Sequence, residues 1–284
     1  MKLIIPATVP LNKQGSYTTH YQTITKNTDR LFIFAADQKI EHLNADFFGP
    51  GLDPSVNHPE HIFSIAQKSN IGLFATHLGL ISRYAKQYPE IPYLAKLNGK
   101  TDLSDKEPFS QQLWSVQDAL DVARTAHIGL HAVGYTVYVG SYHESIMLQQ
   151  AAQIVKDAHE QGLIAILWMY PRGKNITNTK DANLIAGAAG LGASLGADFV
   201  KINQPDTGPA ALQQAVDAAG NTKIIVSGGP AVDQQVLLKT INDQLTVGNV
   251  AGAAVGRNIF QHPLETAVKL ANQIAALIYQ NDDF

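Results

Sequence analysis

The stretch GADFVKINQP, residues 196–205, reads as a short buried strand with a lysine set inside it. Phe199, Val200 and Ile202 surround Lys201, and Gly196 and Pro205 punctuate the two ends. Apolar residues on both sides of a pleat belong to a parallel sheet covered on both faces. Runs of the same kind recur along the chain: LFIFAAD (31–37), GLFATH (72–77), YLAKLN (93–98), HAVGYTVYVG (131–140), LIAILWMY (163–170), DFVKIN (198–203), KIIVSG (223–228) and AGAAVG (251–256). Helical patterns lie between them. SVQDALDVA opens with Ser115 as N-cap and Asp118 three residues later, close to a capping box. ESIMLQQAAQIVKDAHEQG carries Ile146, Gln150, Ile154 and Val155 at helical spacing and stops at Gly162. PAVDQQVLLKTI places Pro230 in a first turn. Strands alternating with helices at roughly 30-residue intervals predict a single-domain α/β (β/α)8 TIM barrel over 30–284. Residues 1–29, polar and irregular, are expected to strap across its core. An open doubly wound sheet is the rival, but the G-x-G-x-x-G fingerprint is absent after the first strand.

Composition narrows the function. Of 284 residues, 45% are hydrophobic and 16% charged, with a net charge of −3, so a large core is available and no basic block invites nucleic acid. There are no cysteines, which removes disulfides, thiolate metal sites and cysteine nucleophiles. The opening MKLIIPATVP is too short for a signal-peptide core, and no apolar run approaches the roughly 18 residues of a membrane span. The expectation is a soluble, cytoplasmic protein with no nucleic-acid or membrane partner.

In a barrel of this kind the active site lies at the carboxyl ends of the strands. The polar residues there are Asp37, His77, Lys96, Tyr138, Trp168, Tyr170, Lys201, Ser227 and Arg257. Asp37 could cap the following turn, His77 could be a satisfied core histidine, and Tyr138 and Trp168 could fill the barrel. The two lysines could form a buried ion pair with Asp37 or Asp198. Their other use is chemical. Burial and a neighbouring cation both disfavour the ammonium form. The neutral amine attacks a carbonyl to give a Schiff base, an electron sink that lets an adjacent C–C bond break or form. SGGP after the seventh strand and VGRN after the eighth supply glycines through which backbone N–H groups approach an anion, and Arg257 adds a charge suited to phosphate. On a strand through LWMYPRGK (167–174), Trp168 and Tyr170 share one face and Leu167 and Met169 the other. A metal-dependent lyase would draw on histidines and carboxylates, for which HPEH (58–61) is the nearest candidate, away from the strand ends. The long loop from Gln38 to Asn57 is expected to help form a lid.

Together AADQKIEH, ATHLGLISRY, AKLNGKT, GYTVYVGS, WMYPRG, GADFVKI, SGGP and AVGRNIFQ resemble the archaeal-type class I fructose-bisphosphate aldolase family, over nearly all of Phe32–Gln261. The resemblance implies a metal-independent Schiff-base aldolase, with no cofactor, that cleaves or forms fructose 1,6-bisphosphate from dihydroxyacetone phosphate and glyceraldehyde 3-phosphate. Lys201 matches the Schiff-base lysine, Tyr170 the proton-transfer tyrosine, and Asp37 an aspartate that binds substrate hydroxyls. Trp168 and Lys96 fall on the substrate side, and Ser227, Gly228, Gly229, Gly256 and Arg257 match the phosphate cradle. The family also implies a homo-oligomer, often a decamer. One departure is DQKIEHLN, where relatives often carry a small residue at Lys39 and Gly-Pro after His42. Related barrels with nearly the same closing motifs make amino-dideoxy-heptulosonate or cleave a phosphorylated dione, and a non-catalytic phosphosugar-binding barrel is a further alternative.

Overall fold

The apolar runs become strands because each pairs on both edges. In the computed structural model, which describes residues 3–104 and 107–279, these are β1 (Leu31–Ala35), β2 (Leu73–His77), β3 (Tyr93–Lys96), β4 (Leu130–Val139), β5 (Ile164–Pro171), β6 (Phe199–Ile202), β7 (Lys223–Ser227) and β8 (Gly252–Val255). Among the described residues the eight strands run parallel in sequence order and β8 closes on β1, with Ile33 opposite Ala254 and Phe34 opposite Val255. The sequence-based boundaries are displaced by one or two residues at most. Of the segments expected at 1–29 and 30–284, residues 1–2, 105–106 and 280–284 lie outside the described residues.

The helices are α1 (Gln14–Thr25), α2 (Gln38–Glu41), α3 (Pro59–Lys68), α4 (Leu78–Tyr84), α5 (Val116–Ala126), α6 (Glu144–Glu160), α7 (Ala182–Ser194), α8 (Leu212–Ala219), α9 (Gln234–Thr246), α10 (Arg257–Phe260) and α11 (Leu264–Tyr279). Among the described residues no helix is long and apolar enough to cross a membrane. The capping box at Ser115 and Asp118 is formed in full. Two helical readings are corrected. Ile146 lies on the solvent side, 44% exposed, and α6 instead turns Met147, Ala151, Ile154, Val155 and Ala158 inward. Pro230 stays in the loop, where its carbonyl accepts from Asn258 Nδ2, and α9 begins after Asp233, whose carboxylate caps Gln235 and Val236.

Alternation along the strands makes two cores. Phe32, Phe34, Phe74, Val133, Leu167, Met169, Val200 and Ile202 point outward and pack under the helices. Leu31, Ile33, Leu73, Leu94, Ile164, Ile166, Trp168, Phe199 and Ile225 fill the barrel. Lys201, one pleat above Phe199, therefore points into the barrel.

The amino-terminal segment is not irregular, as the sequence reading expected. Helix α1 packs Tyr17, Tyr21 and Ile24 on the barrel floor, and the Tyr21 ring stacks on Phe199 at 5.8 Å. The Tyr17 hydroxyl donates to Asp198 Oδ1. The other oxygen of Asp198 accepts from Ala165 N at 2.8 Å and faces His159 Nε2 at 3.1 Å, while His159 Nδ1 pairs with Thr8 at 2.6 Å. Asp198 is thus not the ion-pair partner of either lysine. It anchors the start of the strand that carries Lys201. Replacing Tyr17 by Phe leaves a buried carboxylate oxygen without this donor, and we expect a loss of about 1.5–3 kcal/mol in denaturant unfolding. An unchanged midpoint would mean that the floor contact contributes no stability.

Candidate active site

The carboxyl ends of the strands enclose a cavity of about 200 Å³. Asp37, Trp168, Tyr170, Lys201, Ser227, Gly228, Gly229, Gly256 and Arg257 all line it, nine of the ten residues given site roles alongside the family resemblance, and so does the strand-end residue Tyr138, while His77 does not. The tenth, Lys96, does not. It is 3% exposed and hydrogen-bonds Asn98 Oδ1 at 2.8 Å, beneath the cavity wall. Lys96, expected on the substrate side, stands instead behind the indole of Trp168. The Trp168 ring lies between the two amines, with Lys96 Nζ 5.4 Å and Lys201 Nζ 5.0 Å from its centroid. Space for the indole comes from Gly134, the register partner of Lys96 on β4. A Cβ there would sit 2.5 Å from Trp168 Cζ3 and 2.9 Å from a Leu94 methyl, closer than carbon atoms approach. Trp168 Nε1, buried, has no hydrogen-bond partner among the described residues.

Burial is the largest single influence on Lys201, Lys96, His77, Asp37 and Tyr170. It drives the Lys201 ammonium below its ordinary value, against the pull of the Asp37 and Glu41 carboxylates and with a further push from Arg257. It lowers Lys96 to about 8, again opposed by Asp37 and Glu41 and assisted by Lys201. His77, beside Lys96, falls to about 4 through burial and that neighbouring charge, and is neutral at pH 7. Burial alone would raise the Asp37 carboxyl, but the charges of Lys201, Lys96 and His77 outweigh it and hold the acid below its usual range. The Tyr170 phenol is raised well above 10 by burial and by the Asp37 and Glu41 charges. It rests protonated, as a donor. The site thus joins an amine biased toward its free-base form, an ionised carboxylate and a protonated phenol.

Opposite the amine, the loops after β7 and β8 form one unit. Ser227 Oγ donates to Asn203 Oδ1 at 2.8 Å, and Arg257 Nη2 donates to Gly229 O at 3.2 Å. The Asn258 amide donates to Gly228 O at 3.1 Å and to Pro230 O at 2.9 Å, while its oxygen accepts from Val232 N. With those carbonyls held by side chains, the glycine turn keeps its shape at the cavity rim. Gly229 sits at φ +66°, a conformation that side-chain-bearing residues rarely adopt. Asp46 Oδ1 stands 3.6 Å from Arg257 Nη1.

The loop expected to form a lid is well anchored. The Phe47 ring stacks on Phe260 at 4.9 Å, and Gln261 Nε2 donates to Asp46 O at 2.9 Å. Its first turn, α2, brings Gln38, Glu41 and His42 to the cavity wall. Glu41, Arg172 and Asn203 are functional candidates that the sequence reading passed over. Arg172 follows Tyr170 by two residues, inside WMYPRG, and Asn203 directly follows β6, so a fuller census of strand ends would have found both. Glu41 had no such signal. Among the described residues one group of side chains could hold a metal ion, Glu41, His42 and Asp102, with potential ligand atoms within 4.8 Å of one another. Each is engaged: His42 Nδ1 with Asp46, Glu41 with Tyr138 and Arg172, and Asp102 with Lys100. In HPEH, His61 is a core residue bonded to the carbonyls of Phe260 and His262. A second cavity, about 210 Å³, opens at the barrel floor, where Tyr17 and Asp198 already satisfy each other.

Comparison with known proteins agrees with this geometry. The family model described as DeoC/LacD family aldolase matches residues 31–262. A protein of Methanocaldococcus jannaschii named fructose-bisphosphate aldolase/6-deoxy-5-ketofructose 1-phosphate synthase is 46% identical over 276 residues, 96% of this chain and 89% of its own length. The structure of a fructose-bisphosphate aldolase from Slackia heliotrinireducens superposes with a TM-score of 0.95 at 42% identity, covering 98% of this chain and 90% of that one. A Schiff base forming fructose-1,6-bisphosphate aldolase, studied through its reaction intermediates, gives a TM-score of 0.81 at 32% identity, over 93% and 100% of the two chains. The chain belongs to the DeoC/LacD family of aldolases, within its Schiff-base, class I branch. It is an aldolase-type lyase built on a (β/α)8 barrel.

The lowered basicity of Lys201 has a measurable consequence. Only the free amine attacks a carbonyl, and its fraction rises with pH. Borohydride trapping of an imine with dihydroxyacetone phosphate should accelerate with pH and level off at a midpoint below the ordinary lysine value of 10.5. A midpoint at or above that value would mean that the barrel does not tune this amine.

Proposed function

We propose that the protein makes and breaks the C–C bond of fructose 1,6-bisphosphate, joining dihydroxyacetone phosphate to glyceraldehyde 3-phosphate. The observation that carries this reading is the placement of a buried, charge-starved lysine on the same cavity wall as a protonated tyrosine, with an anion cradle on the adjoining loops. In this reading Lys201 Nζ attacks the ketone carbon, and loss of water leaves an iminium conjugated to the bond that must break. Ionised Asp37 takes the proton of the hydroxyl on the carbon that becomes the aldehyde, electrons from the C–C bond flow into the iminium, and the aldehyde departs, leaving an enamine. Protonation of the enamine carbon, and hydrolysis of the resulting imine, release dihydroxyacetone phosphate and restore the amine. Tyr170, resting protonated, supplies the proton to the enamine carbon and recovers one from Asp37. Asp37, ionised between the lysines, accepts hydrogen bonds from substrate hydroxyls. Trp168 Nε1 offers a further donor, and its ring fixes the direction from which Lys201 approaches. Ser227, Gly228, Gly229, Gly256 and Arg257 hold the phosphate of the ketone half. Lys96, behind the indole of Trp168, acts through charge on Asp37 and Lys201.

A second reading keeps the same imine chemistry and changes the aldehyde. The dual name of the Methanocaldococcus jannaschii relative favours it, because that name includes a product with a 6-deoxy end.

Two experiments test the assignment. Borohydride reduction with dihydroxyacetone phosphate, followed by peptide mass mapping, should place the adduct on Lys201, and Lys201→Arg should abolish both adduct and turnover, since an arginine cannot form the imine. An adduct on Lys96 instead would exchange the roles of the two lysines. Arg257→Ala should weaken phosphorylated ketones by roughly 10–200-fold, the equivalent of a lost charge-assisted contact, and leave unphosphorylated dihydroxyacetone almost unaffected. Equal losses for both ligands would make Arg257 a structural residue.

A further inference from the structure

Closed-barrel order fixes where each half of a substrate can lie. The glycine cradle follows β7 and β8, Lys201 is on β6, the wall beyond Lys201 from the cradle belongs to β4 and β5, and the segment after β1 closes the cavity from its other side. A ketose held by its first phosphate at the cradle, and by its carbonyl at Lys201, therefore extends its aldehyde-derived end toward β4 and β5. At that end stand Tyr138, the penultimate residue of β4, and Arg172, immediately after β5. Glu41, arriving from the β1 side, occupies both. It accepts from Tyr138 Oη at 2.7 Å and from Arg172 Nη1 at 3.2 Å. The Arg172 guanidinium lies 5.3 Å from the Tyr138 ring centroid, so arginine, phenol and carboxylate form one packed unit. Glu41 also lies close enough to raise the basicity of Lys201 and of Lys96, which places its charge within the field of the reacting groups.

A carboxylate in this position has a definite effect on substrate choice. A phosphate on the aldehyde would meet a cation whose charge is already balanced, next to a carboxylate of its own sign. An uncharged aldehyde would meet neither penalty. We infer that Glu41 is a specificity-determining residue, which lowers the advantage of a phosphorylated aldehyde over an unphosphorylated one by holding Arg172 and Tyr138 at the far end of the cavity. This rests on the aldolase reading above. It assigns Glu41 no part in imine formation.

The test compares glyceraldehyde 3-phosphate with glyceraldehyde as partners for dihydroxyacetone phosphate, in the direction of bond formation. Glu41→Gln keeps an acceptor for Tyr138 and removes the charge. The ratio of kcat/KM for the phosphorylated over the unphosphorylated aldehyde should rise by about tenfold, the scale of one like-charge contact relieved. Adding Arg172→Gln to that variant should cancel the gain, because Arg172 is the cation at that end of the cavity on which the phosphate would draw. Should Glu41→Gln fail to fold, as judged by thermal unfolding, Glu41→Asp withdraws the carboxylate from Arg172 while keeping its charge, and should shift the ratio part of the way. A ratio that stays constant or falls overturns the inference. Borohydride trapping of dihydroxyacetone phosphate on the parent protein involves no aldehyde. If trapping fails, the aldolase reading is wrong; if it succeeds and the ratio does not move, only the role of Glu41 is wrong.

Discussion

Two lysines share the upper interior of one closed barrel, and the structure around them is arranged to make that tolerable. Each buried ammonium would cost several kcal/mol if left uncompensated. Lys96 meets part of the cost through Asn98, whose side-chain amide is itself tied to the carbonyls of Ser110 and Thr136. Asp37 offsets charge on both amines. What compensation does not cover appears as lowered basicity, which is the property that imine chemistry requires. A neutral His77 below Lys96 and a protonated Tyr170 above Lys201 follow from the same low-dielectric interior.

Precision at the amine depends on rigid surroundings. From below, α1 and the Tyr17–Asp198–His159 contacts hold the start of β6, three residues from Lys201. From the side, the Trp168 indole fills the gap left by Gly134 and sets a flat wall between the two amines. On the rim, Asn258 and Arg257 clasp the glycine turn after β7. These supports come from an amino-terminal helix, α6, β4, β5, the start of β6 and the segments after β7 and β8, so no single segment of the chain encodes the site.

Most of the barrel was readable because parallel strands covered on both faces have to be apolar, and the runs are short and regularly spaced. The convergence of Asp37, Trp168, Tyr170, Lys201 and Arg257 followed from the rule that strand ends meet at one face, together with the period of two along LWMYPRGK. Helix α1 was not readable. Tyr17, Tyr21 and Ile24 do recur at helical spacing, but they are the only large apolar residues in a stretch otherwise rich in threonine and glutamine, and their face is apolar only toward the barrel floor. The register of α6 was misjudged because Met147 and Ile146 are equally apolar, and only contact with β4 and β5 selects between them.

The sequence by itself determined the strand order, the inward face of each strand and the presence of two lysines at strand ends, because all three depend on local alternation and on the cost of burying a lysine. Tertiary structure alone decided how those amines are used. It moved Lys96 behind Trp168, because the indole needs the space over Gly134. It brought Glu41 to Tyr138 and Arg172, partners 97 and 131 positions away. Such contacts have no period and no motif. They exist because closing β8 on β1 brings the segment after the first strand to the same face as the carboxyl ends of the fourth and fifth.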